Sequence, residues 1–117
     1  MEKTALIDRW HGYITAFNSH CLLELKEFYH PNCKVIMDGA IVGQNRDSMM
    51  VFYADVWQKM GTQKVKPLDI KPTEHGLQVL LRIPSDKKDV TIDYLYDDQG
   101  LQIAHIIDSR LDKDLVS

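Results

Sequence analysis

The chain has 117 residues, 44% hydrophobic and 26% charged, a composition that predicts one globular domain spanning 1–117. Its 14 basic and 17 acidic residues form no long block of one sign. This argues against a nucleic-acid partner, because phosphate binding needs a concentrated basic face. Apolar runs are too short for a membrane helix and the N-terminus lacks a signal-peptide pattern, so we expect a cytoplasmic protein without a membrane partner.

Helical and strand periodicities follow one another along the chain. Apolar residues recur at spacings of three and four in three segments of the first half, which is typical of helices with one buried face. After Gly61, a residue typical of a helix end, this spacing disappears and strand-forming residues dominate. We predict helices at 3–17, 21–29 and about 45–60, and strands at 33–38, 65–73, 77–83, 89–96 and 101–110.

The order of these elements predicts an α+β fold. Three N-terminal helices, one inserted strand and a run of strands joined by short turns place the helices on one face of a curved, mostly antiparallel sheet. Gly39 and Gly43 bracket what we predict to be a flexible connection. Pro67 and Pro72 favour a sheet edge for the strand at 65–73. An enclosed pocket would lie between the helices and the sheet.

The last two predicted strands indicate which residues share a face. If the turn at 97–100 pairs Tyr96 with Leu101, then Asp93 lies opposite Ala104. Alternation places on one face Thr91, Asp93, Leu95, Ala104, Ile106 and Asp108, and on the other Val90, Ile92, Tyr94, Tyr96, Ile103, His105 and Ile107. Both faces are largely apolar, which predicts helices over one and a second copy of the chain over the other, a homodimer through the outer sheet face. We assign His105 to that interface.

Two polar residues in apolar settings are candidates for chemistry. Asp93 lies in mid-strand, where enclosure would raise its pKa and leave it a neutral hydrogen-bond donor; the alternative is a solvated or salt-bridged carboxylate. Tyr13 lies on the apolar stripe of the first helix, either as a site hydroxyl or as an ordinary core tyrosine. The histidines and cysteines lack metal-ligand spacing, so we expect no metal site.

Several short segments resemble the bacterial ketosteroid isomerases and, more loosely, the SnoaL-like polyketide cyclases and other NTF2-like domains. They are Tyr13-Ile14-Thr15-Ala16-Phe17-Asn18, Phe52-Tyr53-Ala54, Ile92-Asp93-Tyr94 and Gly100-Leu101-Gln102-Ile103. The resemblance implies a cystatin/NTF2-like cone enclosing a pocket. It implies that Tyr13 and a protonated Asp93 donate hydrogen bonds to a substrate oxyanion, with Tyr53 supporting Tyr13.

The general base is where the chain departs from the isomerase pattern. The position of the isomerase aspartate is occupied here by Met37, and Asp38 comes one residue later. Because successive side chains of a strand point to opposite faces of the sheet, Asp38 would face away from the side on which the isomerase base lies. Asp38 would reach the pocket only if the strand ends or bulges there; otherwise it begins a turn with Gly39. Asp108 is the other candidate, since SnoaL-like cyclases resemble this chain in placing an acidic catalytic residue near that point, although it could simply pair with Arg110 or be exposed.

The function that the resemblance implies is proton transfer next to a carbonyl of an apolar small molecule, such as a steroid, terpenoid or polyketide, by a cofactor-free isomerase or cyclase. The alternative is a non-catalytic NTF2-like domain that binds a small apolar ligand or serves as a dimerisation module. Hydrolase or dehydratase chemistry on the same scaffold is a further possibility. In either main case we expect these residues to contact the ligand: Trp10, Phe17, Tyr53, Trp57, Leu95 and Ile106.

Overall fold

Three helices cover one face of a curved sheet in the computed structural model of this chain, which describes residues 2–61 and 63–114. The helices are α1 (Lys3–Asn18), α2 (Leu22–Lys26) and α3 (Arg46–Met60). The Asn45 side chain accepts a 2.9 Å hydrogen bond from the Ser48 amide at the start of α3, which ends at Gly61 with a φ of 62°. The predictions for α1 and α3 are thus confirmed. None of the helices in the described ranges is long and apolar enough to cross a membrane.

The sheet is open and mostly antiparallel. Its strands are β1 (Tyr29–Met37), β2 (Ala40–Gly43), β3 (Lys66–Pro72), β4 (Gly76–Ile83), β5 (Lys88–Tyr96), β6 (Gln102–Ile107) and β7 (Lys113–Asp114). The order is β2-β1-β6-β5-β4-β3, with β7 paired to β5, and the β1–β6 pair is parallel. Register shifts interrupt four of the pairs, and such bulges bend a sheet. The predicted α+β architecture is confirmed.

Two local predictions in the first half of the chain are wrong. The predicted second helix does not reach Tyr29: α2 stops at Lys26, because the Phe28 carbonyl accepts a 2.8 Å hydrogen bond from the Gln102 amide and draws this segment into β1. The predicted flexible connection after β1 is the strand β2, which pairs with it. Asp38 and Gly39 form the hairpin turn with φ angles of 53° and 83°, the positive values that a tight hairpin requires.

The last strands pair in a different register from the predicted one. Asp93 lies opposite Ile106, whereas Ala104 lies opposite Leu95, because Tyr96 pairs with Gln102 in place of Leu101 and the register shifts by one further residue between Leu95 and Tyr96. The displacement is two residues, one full period of a strand. The predicted division between the two faces is therefore kept from Leu95 and Ala104 inward, but it is reversed beyond the bulge. Gln102, opposite Tyr96, is buried and contacts His105, whereas Ile103, which we predicted on the His105 face, is 37% exposed.

The core lies between the helices and the face of the sheet that carries His105. Along β5 the positions 90, 92, 94 and 96 are buried and the positions between them are half-buried. His105 itself is fully buried. The face with Asp93 therefore points outward, and the face with His105 forms the inside of the molecule.

Candidate functional site

A pocket of about 310 Å³ lies between α1, α3 and the inner face of the sheet. Its wall is mostly apolar, formed by Ile14, Phe17, Met37, Phe52, Val56, Met60, Val65, Leu81, Ile83, Val90, Ile92 and Ile107. Its polar groups form two sets, the buried tyrosines Tyr13, Tyr53 and Tyr94, and a polar rim of Asp86, Lys88, Ser109 and Asp112. The rim residues are exposed or half-buried and mark the solvent end. An apolar wall with a few polar groups suits a small, largely apolar ligand.

Tyr13 is the hydroxyl that α1 contributes to the pocket. Its place on the apolar stripe of the helix buries the side chain, which is 1% exposed. The Tyr29 hydroxyl donates a 3.2 Å hydrogen bond to that of Tyr13. Burial, together with the neighbouring tyrosines, raises the pKa of Tyr13 well above its usual value. The hydroxyl therefore stays protonated and is suited to donate a hydrogen bond.

Tyr53 of α3 is linked to a buried histidine. Its Oη lies 2.7 Å from Nδ1 of His105. On the other side of the imidazole, Nε2 of His105 contacts Oε1 of Gln102, and Nε2 of Gln102 donates to Tyr96 Oη at 3.2 Å. Burial lowers the pKa of His105 to about 3, so the ring is neutral at physiological pH.

Aromatic rings surround this histidine. Four of the chain's five tyrosines have ring centroids within 5.9 Å of the His105 ring, namely Tyr13, Tyr29, Tyr53 and Tyr94. Tyr94 approaches to 4.6 Å because it lies directly opposite His105 in the β5–β6 pair. The imidazole thus sits among neutral hydroxylated rings, which stabilise its uncharged form.

Asp112 is a carboxylate on the rim of the pocket. It is half-buried, and its Oδ1 is buried without a hydrogen-bond partner among the described residues. Burial raises the pKa of Asp112, Lys88 opposes the rise, and the charges of Asp38, Asp108 and Asp114 add to it. An unpartnered carboxylate oxygen with a raised pKa beside an apolar pocket is suited to accept a proton from a bound molecule.

Similarity to known proteins is confined to structure. No family model and no curated protein matches the sequence. A SnoaL-like protein of unknown function from Burkholderia thailandensis E264 superposes with a TM-score of 0.80 over 92% of this chain and 96% of its own, at 7% identity. A putative polyketide cyclase from Sinorhizobium meliloti superposes with a TM-score of 0.70 over 92% of this chain and 99% of its own, at 17% identity. An uncharacterized cystatin-fold protein from Novosphingobium aromaticivorans superposes with a TM-score of 0.71 over 87% of this chain and 96% of its own, at 10% identity.

These superpositions, together with the open sheet and its helix layer, decide the architecture. The chain has the cystatin/NTF2-like fold. The resemblance stated from the short motifs is confirmed at the level of the fold. Sequence identities below 25% do not establish a shared activity, so the chemistry of this NTF2-like chain depends on its own pocket residues.

Asp93 lies on the outer face of the NTF2-like sheet, away from Tyr13. Its neighbours Ile92 and Tyr94 line the pocket, whereas Asp93 alternates to the other side, where it pairs with Ile106. The predicted placement of Asp93 on the pocket wall is therefore wrong. Alternation determines which residues share a face, but the packing of the helices determines which face becomes the inside.

The two predicted bases also lie outside the pocket lining. Asp38 is exposed and accepts hydrogen bonds from the Ser109 amide (2.8 Å) and hydroxyl (2.7 Å), which lower its pKa. Asp108 pairs with Arg110 at 2.7 Å, and this contact lowers the pKa of Asp108. Both carboxylates are committed to partners that hold them ionised. The negative charges of Asp38 and Asp108 do influence the pocket rim, because they raise the pKa of Asp112.

The predicted ligand contacts divide into those on the pocket wall and those elsewhere. Phe17 and Tyr53 line the pocket. Trp10 is fully buried outside the lining and meets Tyr94 edge to face, with 5.9 Å between the ring centroids. Trp57 packs edge-on against Phe17 from outside the lining.

The outer face holds the remaining two predicted ligand contacts, and the inner face holds a residue that we assigned to the dimer interface. Leu95 and Ile106 share the side of Asp93 and do not line the pocket. His105 is on the opposite face, as predicted, but that face is the interior and not an interface. The signal that could have identified it is the aromatic content of its face, since Tyr94 and Tyr96 are large enough to require burial.

Two further residues of the site had weaker signals in the sequence. Tyr29 supports Tyr13, the role expected for Tyr53, but it lies where a helix was predicted. Asp112 follows β6 and lies two residues beyond the strand that we predicted at 101–110, in a segment for which we predicted no element. No periodicity distinguishes it from the neighbouring aspartates, so its place on the rim depends on the 3-10 turn at Ser109–Leu111.

Proposed function

We propose that this chain binds an apolar, carbonyl-bearing small molecule and moves a proton at the carbon next to the carbonyl, as an isomerase or cyclase does. The observation that carries the proposal is that one apolar pocket is lined both by the protonated hydroxyl of Tyr13 and by the unpartnered carboxylate of Asp112. The putative polyketide cyclase that shares the fold supports the cyclase form of this chemistry.

Each group has a defined part in the proposed reaction. The Asp112 carboxylate takes the proton from the carbon, and the electron pair of the broken C–H bond moves toward the carbonyl oxygen to form an enolate. The Tyr13 O–H donates a hydrogen bond to that oxygen, where negative charge develops in a water-poor pocket. Protonated Asp112 then returns the proton to the same or another carbon. These steps use side chains alone, and a cofactor-free reaction remains a prediction.

The test is proton exchange in the ketone 2-tetralone, an apolar bicyclic probe whose carbonyl-adjacent protons exchange with D2O and can be followed by NMR. The wild-type protein is expected to accelerate this exchange, and Asp112→Asn to reduce the acceleration by about 10²-fold or more, the usual contribution of a general base. Asp86→Asn, which changes another carboxylate of the same rim, is the matched control and should retain the acceleration.

The pH dependence of the proton exchange provides a second test of the same proposal. The base acts only when ionised, so the acceleration should rise with pH through the pKa of Asp112, above the ordinary aspartate value of about 3.9. Binding of 2-tetralone with exchange at the uncatalysed rate would contradict the catalytic proposal. It would favour the alternative, a non-catalytic domain that holds a small apolar ligand.

We also propose that the chain forms a homodimer through the outer face of the sheet. That face carries an apolar strip in which Ile36 lies beside Ile106, and Leu95 beside Ala104. Ile106→Lys should therefore convert a dimer to a monomer in sedimentation velocity, because it places a charge in the strip. Val51→Lys changes a residue that is 65% exposed on α3 and should leave the dimer intact. A monomeric wild-type protein would refute the proposal.

A further inference from the structure

The hairpin turn between β1 and β2 is bonded to the segment that follows β6. Asp38, in that turn, is exposed, but its carboxylate accepts hydrogen bonds from the Ser109 amide (2.8 Å) and the Ser109 hydroxyl (2.7 Å). The backbone amide of Asp38 donates to the carbonyl oxygen of Ile107 at 2.9 Å. Hydrogen bonds to a carboxylate are stronger than those between neutral groups, so this turn is a firm attachment point for a segment distant in the sequence.

The attached segment has no apolar anchor of its own. Ser109–Leu111 form a single 3-10 turn, none of whose residues is buried. Leu111, its one large apolar side chain, is 48% exposed. A turn without buried side chains is positioned by its hydrogen bonds, so the bonds to Asp38 and the pairing of β7 with β5 determine where it lies.

The same 3-10 turn places Asp112 at the pocket. The Asp112 amide donates to the Ser109 carbonyl at 3.1 Å, so a continuous set of hydrogen bonds joins the Asp38 carboxylate to the backbone of Asp112. Ser109 and Asp112 line the pocket rim, whereas Asp38 lies outside the lining. Asp112 Oδ1 has no hydrogen-bond partner among the described residues. The position of this carboxylate oxygen therefore depends on the backbone of the turn.

We infer that Asp38 is a positioning residue, which holds Asp112 at the pocket mouth through Ser109 and makes the hairpin turn of β1 and β2 part of the site. The inference rests on the proposed role of Asp112 as the base and adds the residue that keeps the base in place. The competing interpretation is that Asp38 only stabilises the hairpin, so that its bonds to Ser109 have no effect on Asp112.

Asp38 also acts on Asp112 through its charge. Its negative charge raises the pKa of Asp112, as do the charges of Asp108 and Asp114, while Lys88 lowers it. Loss of the Asp38 carboxylate therefore changes both the charge and the position of the turn. The charged groups around Asp112 are Asp38 of the hairpin turn, Asp86 and Lys88 at the start of β5, Asp108 with its partner Arg110, and Asp114 of β7.

Two substitutions of Asp38 separate position from charge. Its φ of 53° suits asparagine and glycine, and both are favoured before Gly39 in a two-residue hairpin turn. Asp38→Asn removes the charge and can still accept from the Ser109 amide. Asp38→Gly removes the charge and both bonds. The difference between the two variants measures the effect of position.

The pKa of Asp112 is a readout that does not depend on turnover. It is followed by 13C NMR of aspartate-labelled protein, with the signal assigned by its absence in Asp112→Asn. We expect the pKa to fall in Asp38→Asn, because a nearby negative charge is lost, and to fall further in Asp38→Gly, because a loosened turn exposes the carboxylate to water. Ser109→Ala, which removes one bond and keeps the charge of Asp38, should lower it less.

Asp97→Gly is the matched control. Asp97 lies in the turn between β5 and β6, outside the pocket lining, and its carboxylate also accepts two hydrogen bonds, from the Gln99 and Leu101 amides. This variant should leave the pKa of Asp112 at the wild-type value. Urea unfolding of Asp38→Asn, Asp38→Gly and Asp97→Gly shows whether each is folded under the conditions of the measurement.

Exchange of the 2-tetralone protons gives the second readout. Asp38→Gly is expected to lower the rate at saturating tetralone about 10-fold or more relative to Asp38→Asn, the effect of a misplaced reacting group, and to keep the half-saturating concentration within about twofold. Equal Asp112 pKa values in the two variants would overturn the inference, as would equal rates of catalysed exchange. If wild type catalyses no exchange but the order of pKa values holds, the proposed reaction is rejected and the positioning of Asp112 by Asp38 stands.

Discussion

His105→Gln is expected to remove much of the acid sensitivity of the fold between about pH 6.5 and pH 4.5. The unfolded chain binds a proton on this imidazole near pH 6.5, the ordinary histidine value, whereas burial lowers the pKa in the folded protein to about 3. In that window unfolding takes up a proton, so the free energy of unfolding falls as the pH falls, by up to about 1.4 kcal/mol per pH unit. Glutamine cannot titrate and is able to keep a hydrogen bond in the chain between Tyr53 and Gln102.

Urea unfolding at several pH values measures the effect as a slope. Wild type should lose stability on acidification across the window, and His105→Gln should show a flatter profile whatever its absolute stability. His75→Gln removes an exposed imidazole and should keep the wild-type slope. Asp38 and Asp108, whose pKa values are lowered by their partners, add acid sensitivity only from about pH 4 downward. Parallel profiles for wild type and His105→Gln would show that the histidine is not held neutral.

Gly76→Ala is expected to destabilise the fold by about 3 kcal/mol or more, at the upper end of overpacking costs. Gly76 begins β4 opposite Leu95, and a Cβ atom there would lie 1.9 Å from the carbonyl oxygen of Tyr94. Backbone atoms cannot rotate away as a side chain can, so the two strands would have to separate at this point. Because Tyr94 also lines the pocket, ligand binding should weaken together with stability.

Gly12→Ala is the matched control for this substitution. Gly12 lies in the interior of α1, and a Cβ atom there would meet the Phe28 ring at 3.5 Å, an ordinary contact. Alanine should stabilise the helix by about 0.5–1 kcal/mol. Chemical denaturation compares the two variants directly. Equal stability for Gly76→Ala and Gly12→Ala would contradict the close approach of β4 and β5.

Patterns that extend over many residues were predicted well from the sequence. The stripe of α1 and the limits of α3 follow from helical spacing and from the Asn45 and Gly61 signals at its ends. The division of β5 and β6 into two faces also held on the far side of the bulge at Leu95, and failed only next to the turn, where Gln102 replaces Ile103 on the inner face. A displacement of two residues preserves the face, which explains why the prediction survived an incorrect pairing.

Elements stabilised by distant partners were not predictable in this way. The segment around Tyr29 has a helical pattern in the sequence, but it pairs with Gln102 far along the chain and becomes a strand. The hairpin strand β2 is four residues long and depends on the turn at Asp38 and Gly39. Short elements of this kind are decided by tertiary contacts, because their local preferences contribute less than the hydrogen bonds of the sheet.

The sequence by itself therefore determined the fold class, the apolar helix faces and the sharing of faces among Tyr94, His105 and their neighbours. Only the tertiary structure decided that this shared face is the interior, which buried His105 and placed Asp93 outside. It also decided that Asp112, rather than Asp38, lines the pocket. The physical reason is that alternation and periodicity are local properties of the backbone, whereas the side of a sheet that loses its water depends on where distant helices pack.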